Sequence, residues 1–345
     1  MNKEKNKGLK DPKLLVLDLD GTLLNGEKEI PEINLRVIEK LYNEYGIIPV
    51  IATARPLEVA KYIATKAGNK FKGYVIATNG AMIYDFNTDS IISNNSLNKE
   101  QIKSLINLAE EFNLEYEFMT QECEVADANY AYRRDKDPMY KNMENDGMIN
   151  LKGEGFNFQE NMRQYANEHD IPLFAISGTK KELEVIQKKL NENDLGIQMT
   201  KICDRTNASN PDDKLYYFDI MKEGVTKATA IELLQKKLGI EKQQVIAIGD
   251  GGNDIEMFKH AGLSIAMRNA NSDVKGEANV ITFNNNEQGG VGTALLALFN
   301  FIKRREEKKK QGKILKAANK CEVPRIKENG KGKIKLPKPN KEGER

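Results

Sequence analysis

The sequence predicts an α/β protein, a doubly wound parallel-sheet core interrupted by an inserted α+β cap domain. Three observations lead there. Short apolar runs of strand length alternate with helical periodicity near both ends of the chain. That alternation breaks down in the middle. Acidic or hydroxyl residues follow directly on several apolar runs, where open α/β sheets hold their ligands. The 345 residues suffice for two packed cores.

Leu14–Leu17 reads as the first strand. Ile33, Val37, Ile38 and Leu41 then recur at helical spacing and predict a helix over Glu32–Tyr45. Ile47–Ala52 is a second buried strand, and Pro56 suits the first turn of a helix through Ala67. Tyr74–Ala77 is a third strand, and this β-α-β-α-β order argues for a parallel sheet. The grammar then changes. Met82–Asp85 and Ser90–Ser93 read as a hairpin, followed by a helix at Lys99–Phe112 and strands at Leu114–Met119 and Glu122–Ala126. Tyr130–Gly155 is irregular and charged and predicts a long loop. Helix Asn157–Glu168, strand Pro172–Ile176, helix Lys180–Asn191 and strand Leu195–Ile202 complete an insert over residues 85–211. Parallel grammar returns with strand Leu215–Ile220, helix Lys227–Leu238, strand Val245–Ile248, a helix starting at Asp254, strands Leu263–Ala266 and Val280–Ile281, and helix Val291–Phe301. The expected organisation is a discontinuous core, residues 10–84 and 212–302, carrying the cap 85–211 and a basic tail, 303–345, without the periodicity of a folded segment.

Composition narrows the function classes. The N-terminal residues Met1-Asn-Lys-Glu-Lys-Asn-Lys are polar and predict no signal peptide. No apolar run approaches the ~18 residues of a membrane helix. Cys123, Cys203 and Cys321 show neither metal spacing nor an even disulfide framework, which points to the reducing cytoplasm. With His169 and His260 as the two histidines, histidine-rich metal sites are disfavoured. Residues 303–345 carry 17 Lys and Arg against six Glu, a local charge of +11 within a total of +2, so residues 1–302 carry −9. Weak electrostatic binding of polyanions is open to such a tail, although charge runs are usually solvated.

The chemistry-bearing residues follow the predicted strands. Asp18 and Asp20 close the first one; side chains repeat every second residue, so both project to one side, roughly 6–7 Å apart. Anions at the end of a buried strand are costly unless a cation compensates, and a hard divalent ion such as Mg²⁺ suits carboxylate oxygens. A calcium loop beginning at Asp18 fails because Leu23 occupies the position that needs glycine. Thr53 and Arg55 follow the second strand, where a hydroxyl and a backbone N–H can hold a phosphate oxygen near a helix N-terminus; Thr53 equally suits a helix cap. Lys227 opens a helix, and its ammonium either enters a carboxylate-rich pocket or lies at the surface like most lysines. Gly249-Asp250-Gly-Gly-Asn253-Asp254 fits half of a metal site better than a dinucleotide fingerprint, since position 254 is Asp where that pattern needs Gly. A helix-capping turn uses Asn253 or Asp254 but does not require Asp250.

Taken in order, Asp18-Leu-Asp20-Gly-Thr-Leu, Ile51-Ala-Thr53-Ala-Arg55-Pro, Gly224-Val-Thr-Lys227 and Gly249-Asp250-Gly-Gly-Asn253-Asp254 resemble the motifs of the haloacid dehalogenase superfamily. Thr78-Asn79-Gly80-Ala81 and the insert resemble its Cof-type phosphatase branch. The resemblance covers residues 12–300 and implies a Rossmann-like core. It further implies Asp18 as nucleophile, Asp20 as acid and base, and Thr53, Lys227 and Asn253 on the phosphoryl group. Asp18, the backbone carbonyl of Asp20, Asp250 and Asp254 would serve Mg²⁺, with Arg55 and Asn79 as candidate substrate contacts. Ala54 stands where the family often has glycine. The implied function is a cytoplasmic, Mg²⁺-dependent phosphatase hydrolysing a small phosphorylated metabolite through an aspartyl-phosphate. A phosphosugar mutase on the same scaffold and a nucleic-acid-associated protein acting through its tail are the alternatives. Arg133, Arg134, Lys136 and Lys141 are either solvated or contacts for an anionic substrate, and Cys123 and Cys203 read as packing residues.

Overall fold

The computed structural model describes residues 9–66, 71–127, 156–159, 161–204, 216–300 and 303–304. The long charged segment Tyr130–Gly155, with Arg133, Arg134, Lys136 and Lys141, and the tail beyond Arg304 lie outside these residues. The chain divides into two compact units, residues 1–296 and 297–345. In the second, residues 297–300 and 303–304 are helical. No helix among the described residues is long and apolar enough to cross a membrane.

Strands β1 (Leu14–Leu17), β2 (Ile48–Ala52), β3 (Tyr74–Ala77), β4 (Met82–Asp85) and β5 (Ser90–Asn94) open the chain. They are followed by β6 (Glu115–Met119), β7 (Glu124–Asp127), β8 (Phe156–Gln159), β9 (Leu173–Gly178), β10 (Ile197–Met199), β11 (Cys203–Asp204) and β12 (Tyr216–Lys222). β13 (Val245–Gly249), β14 (Leu263–Ala266) and β15 (Val280–Ile281) come last. The first sheet has the order β15-β14-β13-β1-β2-β3-β4-β5, parallel from β15 to β3 and antiparallel across β4 and β5. Its centre is β1, all four residues of which are buried between β13 and β2. Each such buried Leu or Val contributes about 1.5–3 kcal/mol relative to exposure. β2 and β3 extend the sheet to one side of β1, and β13 to β15 extend it to the other, so the winding reverses at β1 and β13. Ligands bind beyond the carboxyl ends of strands at such a reversal. Leu17 lies opposite both Ile248 and Ile51, and the residues after them emerge side by side.

The second sheet has the order β10-β12-β9-β6-β7-β8, with β11 also on β12, and is antiparallel except for β7 and β8. It buries Phe118, Phe174, Ile176, Phe218 and Ile220 on one face. Helix Lys99–Glu111 begins with a capping box in which Asn98 accepts from Gln101 N at 2.8 Å, and helix Lys180–Glu192 with one at Thr179.

Four sequence expectations change. The hairpin stays in the first sheet: β4 pairs with β3 and carries β5 with it, so that sheet continues to Asn94 rather than stopping before residue 85. The strand expected to resume the core at Leu215–Ile220 runs Tyr216–Lys222 and pairs antiparallel with β9, β10 and β11. Its half-buried Tyr217 and Asp219 alternate with buried Phe218 and Ile220, unlike β1, β3 and β13, which are buried throughout. Asn157–Gln159 is strand, and the helix starts later, at Met162, with Asn161 accepting from Gln164 N. The strand expected over Leu195–Ile202 is shortened to β10, and a separate two-residue strand, β11, follows it.

Candidate active site

Asp18 leaves the end of β1 still tied to the sheet, its N–H donating to Ile248 O at 3.0 Å. A wide turn over Leu19–Leu23 follows, closed by Leu23 N to Asp18 O and Leu24 N to Leu19 O. Gly21 sits in it at φ +76°, and a Cβ there would collide with the Asp250 carboxylate. Position 21 therefore excludes other residues both by conformation and by contact.

Helix Lys227–Leu238 is capped by Thr226, whose hydroxyl accepts from Thr229 N at 3.1 Å, so Lys227 is its first residue. The ammonium points into the protein: it donates to Asp18 Oδ1 at 2.5 Å and to Asp254 Oδ1 at 2.7 Å. Lys227 is 2% exposed, which rules out the surface-lysine reading. The other oxygen of Asp254 accepts from the N–H groups of Asp250 and Gly251, both at 3.0 Å. Asp254 thus holds the Gly-rich turn and the lysine together. Asp250 accepts from the Thr22 hydroxyl at 2.9 Å and from Asn269 Nδ2 at 3.3 Å, while Asn269 also donates to Gly21 O at 2.7 Å.

Burial, and then the neighbouring Asp254, push the Asp18 carboxyl well above its usual range, with Lys227 opposing them. Burial also raises Asp250. For Lys227, burial works against the charge, but Asp18 and Asp254 outweigh it and raise the ammonium above its ordinary value. Two carboxylates thus pair with one ammonium, and oxygens of Asp18, Asp250 and Asp254 all lie within 4.8 Å of one another. Partly buried anions in excess, presenting hard oxygen donors, fit a divalent cation.

Asp20 turns to different partners. Arg55 grips it in a bidentate pair, Nε to Oδ2 at 2.6 Å and Nη2 to Oδ1 at 2.7 Å, and Lys28 Nζ reaches Oδ1 at 2.8 Å. Burial raises the Asp20 carboxyl, but the hydrogen bonds and charge of Arg55, joined by Lys28, overcome it and hold the group well below the usual carboxylate range. Thr53 is buried, with its hydroxyl accepting from Arg55 N at 3.1 Å, so it caps the turn that leads to helix Leu57–Lys66. Asn253 Nδ2 donates to Asn79 Oδ1 at 3.0 Å.

The structure therefore brings Asp18, Lys227, Asp250 and Asp254 into one cluster. It places Asp20 with Arg55, and Asn79 with Asn253; the Asp20 carboxylate is not among the clustered metal-capable groups. Sequence reasoning gave no role to Thr22, Lys28 or Asn269. Thr22 stands within the first motif, and Asn269 follows a core strand, β14, at its carboxyl end, a positional signal for both. Nothing local marks Lys28. Cys123 is buried as expected, whereas Cys203, on the two-residue strand β11, is exposed.

A sequence profile of the haloacid dehalogenase-like hydrolases matches residues 15–295. The chain belongs to that family. A 5-amino-6-(5-phospho-D-ribitylamino)uracil phosphatase of Bacillus subtilis, YcsE, is 28% identical over 281 residues, 81% of this chain and 93% of its own length. The Escherichia coli phosphatase of the same description, YbjI, is 27% identical over 280 residues, 80% of this chain and 93% of its own. A crystal structure of a haloacid dehalogenase-like hydrolase from Bacteroides thetaiotaomicron superposes with a TM-score of 0.66 at 26% identity, covering 83% of this chain and 99% of that one. The Rossmann-like core and the enzyme class expected from the motifs, a phosphomonoester hydrolase of this superfamily, agree with these matches. The metal dependence general to the superfamily agrees with the carboxylate cluster.

Proposed function

We propose that the protein is a Mg²⁺-dependent phosphatase that hydrolyses a small phosphorylated metabolite through an aspartyl-phosphate on Asp18. The observation that carries this reading is the buried ammonium of Lys227 between Asp18 and Asp254, beside Asp250, at the winding reversal of the sheet. A carboxylate nucleophile needs the charge of the incoming phosphoryl group offset, and preorganised cations do this at no reorganisation cost.

Asp18 attacks phosphorus in line; the P–O bond to the substrate alcohol breaks as the Asp18–P bond forms. Asp20, ionised beside Arg55 and Lys28, must exchange those partners for a proton before it protonates the leaving oxygen; it then removes a proton from the water that attacks the acyl phosphate, which regenerates Asp18 and frees phosphate. Thr53, Lys227 and Asn253 hold the phosphoryl oxygens. Asp18, Asp250 and Asp254, with the backbone carbonyl of Asp20, would hold Mg²⁺, which when bound supplies charge neutralisation at the phosphoryl group. Strand membership supports residues 95–222 as the cap over a core of 10–94 and 223–296, and the cap is where substrate choice resides. The phosphorylated ribitylaminouracil named for YcsE and YbjI makes that compound a first substrate to try. The three scattered cysteines, with no even disulfide framework, support a reducing cytoplasmic setting.

The test is phosphate release from a panel of phosphorylated metabolites, with and without Mg²⁺, by wild type and Asp18→Asn. Mg²⁺-dependent release that disappears in Asp18→Asn is expected. Hydrolysis retained by a folded Asp18→Asn protein overturns the mechanism, and isomerised sugar phosphate without free phosphate identifies a mutase instead.

A further inference from the structure

On the phosphatase reading given above, we propose that Asn79 is a positioning residue that orients Asn253 and locks three separate loops into one phosphate cradle. Asn79 lies in the turn Thr78–Gly80, directly after β3. Thr78 and Asn79 both have left-handed backbones, at φ +49° and +51°, and Gly80 follows at +110°. For threonine, branched at Cβ, that conformation is an outlier, and it persists only where the surroundings over-determine it.

They do so from three sides. Thr78 N donates to Arg55 O and Asn79 N to Thr53 O, both at 2.9 Å, which tie the turn to the loop after β2. A Cβ on Gly80 would collide with the carbonyl of Thr226, so the turn is seated against the start of the Lys227 helix. Asn79 is 9% exposed, and its side chain accepts the Asn253 hydrogen bond from the loop after β13. Glycine would meet the φ requirement at position 79 more easily. Asparagine is the tolerated alternative that also carries an acceptor, so the side chain serves the contact and not the turn.

Asn253 is itself exposed. An exposed asparagine samples several rotamers, and ordering it on substrate binding costs entropy. With one Nδ2 hydrogen donated to Asn79, the amide is held in a single orientation and its other hydrogen is free to aim at a phosphoryl oxygen. Asn79 thus acts through Asn253 rather than by touching substrate.

The experiment is a double-mutant cycle with Asn79→Gly, which preserves the left-handed backbone, and Asn253→Ala. Turnover of p-nitrophenyl phosphate and competitive inhibition by inorganic phosphate are measured for wild type, both single variants and the double variant. Each single change is expected to lower kcat/KM and weaken inorganic phosphate by about tenfold, and the double change to cost no more than either. Melting temperatures should stay within a few degrees of wild type. Losses that multiply to about 100-fold, or an Asn79→Gly enzyme with wild-type kinetics, overturn the proposal. So does a loss in Asn79→Gly confined to one leaving group with phosphate inhibition unchanged, since that marks direct substrate contact. If Asn79→Gly does not fold, amide hydrogen exchange in Asn253→Ala decides: lost protection at Asn79 is expected, and unchanged protection refutes the coupling. That exchange measurement needs no turnover, so it separates failure of this coupling from failure of the phosphatase reading.

Discussion

Asp18 and Asp20 stand two residues apart, yet the fold treats them differently. Asp18 is buried with Asp254 around the ammonium of Lys227, whose side chain is 1% exposed. Asp20 lies at the rim, its side chain 39% exposed, between Arg55 and Lys28. In the inner cluster negative charge exceeds positive, and in the rim cluster positive exceeds negative. Breaking a buried pair leaves an uncompensated charge in a poor solvent, whereas water heals most of the damage at a surface pair. One D-x-D motif therefore serves both a deeply buried electrostatic cluster and a part-exposed rim pair.

The comparison is tested most severely at Lys227. Lys227→Met should reduce turnover by at least about 10³-fold and destabilise the fold by about 3–5 kcal/mol, read by phosphate release and denaturant unfolding. Loss of activity without loss of stability would mean that Asp18 and Asp254 do not depend on this ammonium. Next is the cation. Chelation should abolish activity and added Mg²⁺ restore it, while Asp250→Ala should raise the Mg²⁺ concentration for half-maximal rate by about 10–100-fold. An unchanged metal requirement in that variant removes Asp250 from the site.

At the rim the expected effects shrink. Arg55→Ala should cost about 1 kcal/mol, since the pair it breaks is part-exposed. Its pH dependence has a definite sign. Asp20 is held below its unfolded value, about 3.9, so the stability it contributes is present above that pH and is lost as pH falls toward its folded value. The stability gap between wild type and Arg55→Ala, followed by urea melts from pH 7 to pH 3, should narrow below about pH 4. A gap that widens in acid would contradict the pairing. Lys28→Ala should change stability by less than about 0.5 kcal/mol, the smallest effect of the set. Should it match Lys227→Met, the distinction between deep site and rim is lost.

Much of this was legible in the chain. The fully apolar run Leu14–Leu17 and the acidic pair after it placed β1 and the site at its end, because buried parallel strands admit few polar residues and functional groups gather where they stop. The boundaries of helices Glu32–Tyr45 and Lys227–Leu238 also follow from sequence, through the glycines that end them at φ +64° and +65°. The assignment of Tyr216–Lys222 to the second sheet was less legible, because a short apolar run does not declare its partners; only its alternation hinted at it.

Sequence by itself determined the fold class, the family and the residue types of the site, since these rest on local periodicity and on motifs contiguous along the chain. Tertiary structure decided who pairs with whom. Lys227 and Asp18 are 209 positions apart, and Asn253 and Asn79 are 174 apart. Nothing in either neighbourhood specifies the other partner, and Lys28 looks like any surface lysine until the turn after β1 brings Asp20 to it. Pairing of this kind is set by strand order and by the register of β1 against β2 and β13, and these exist only once the sheet has formed.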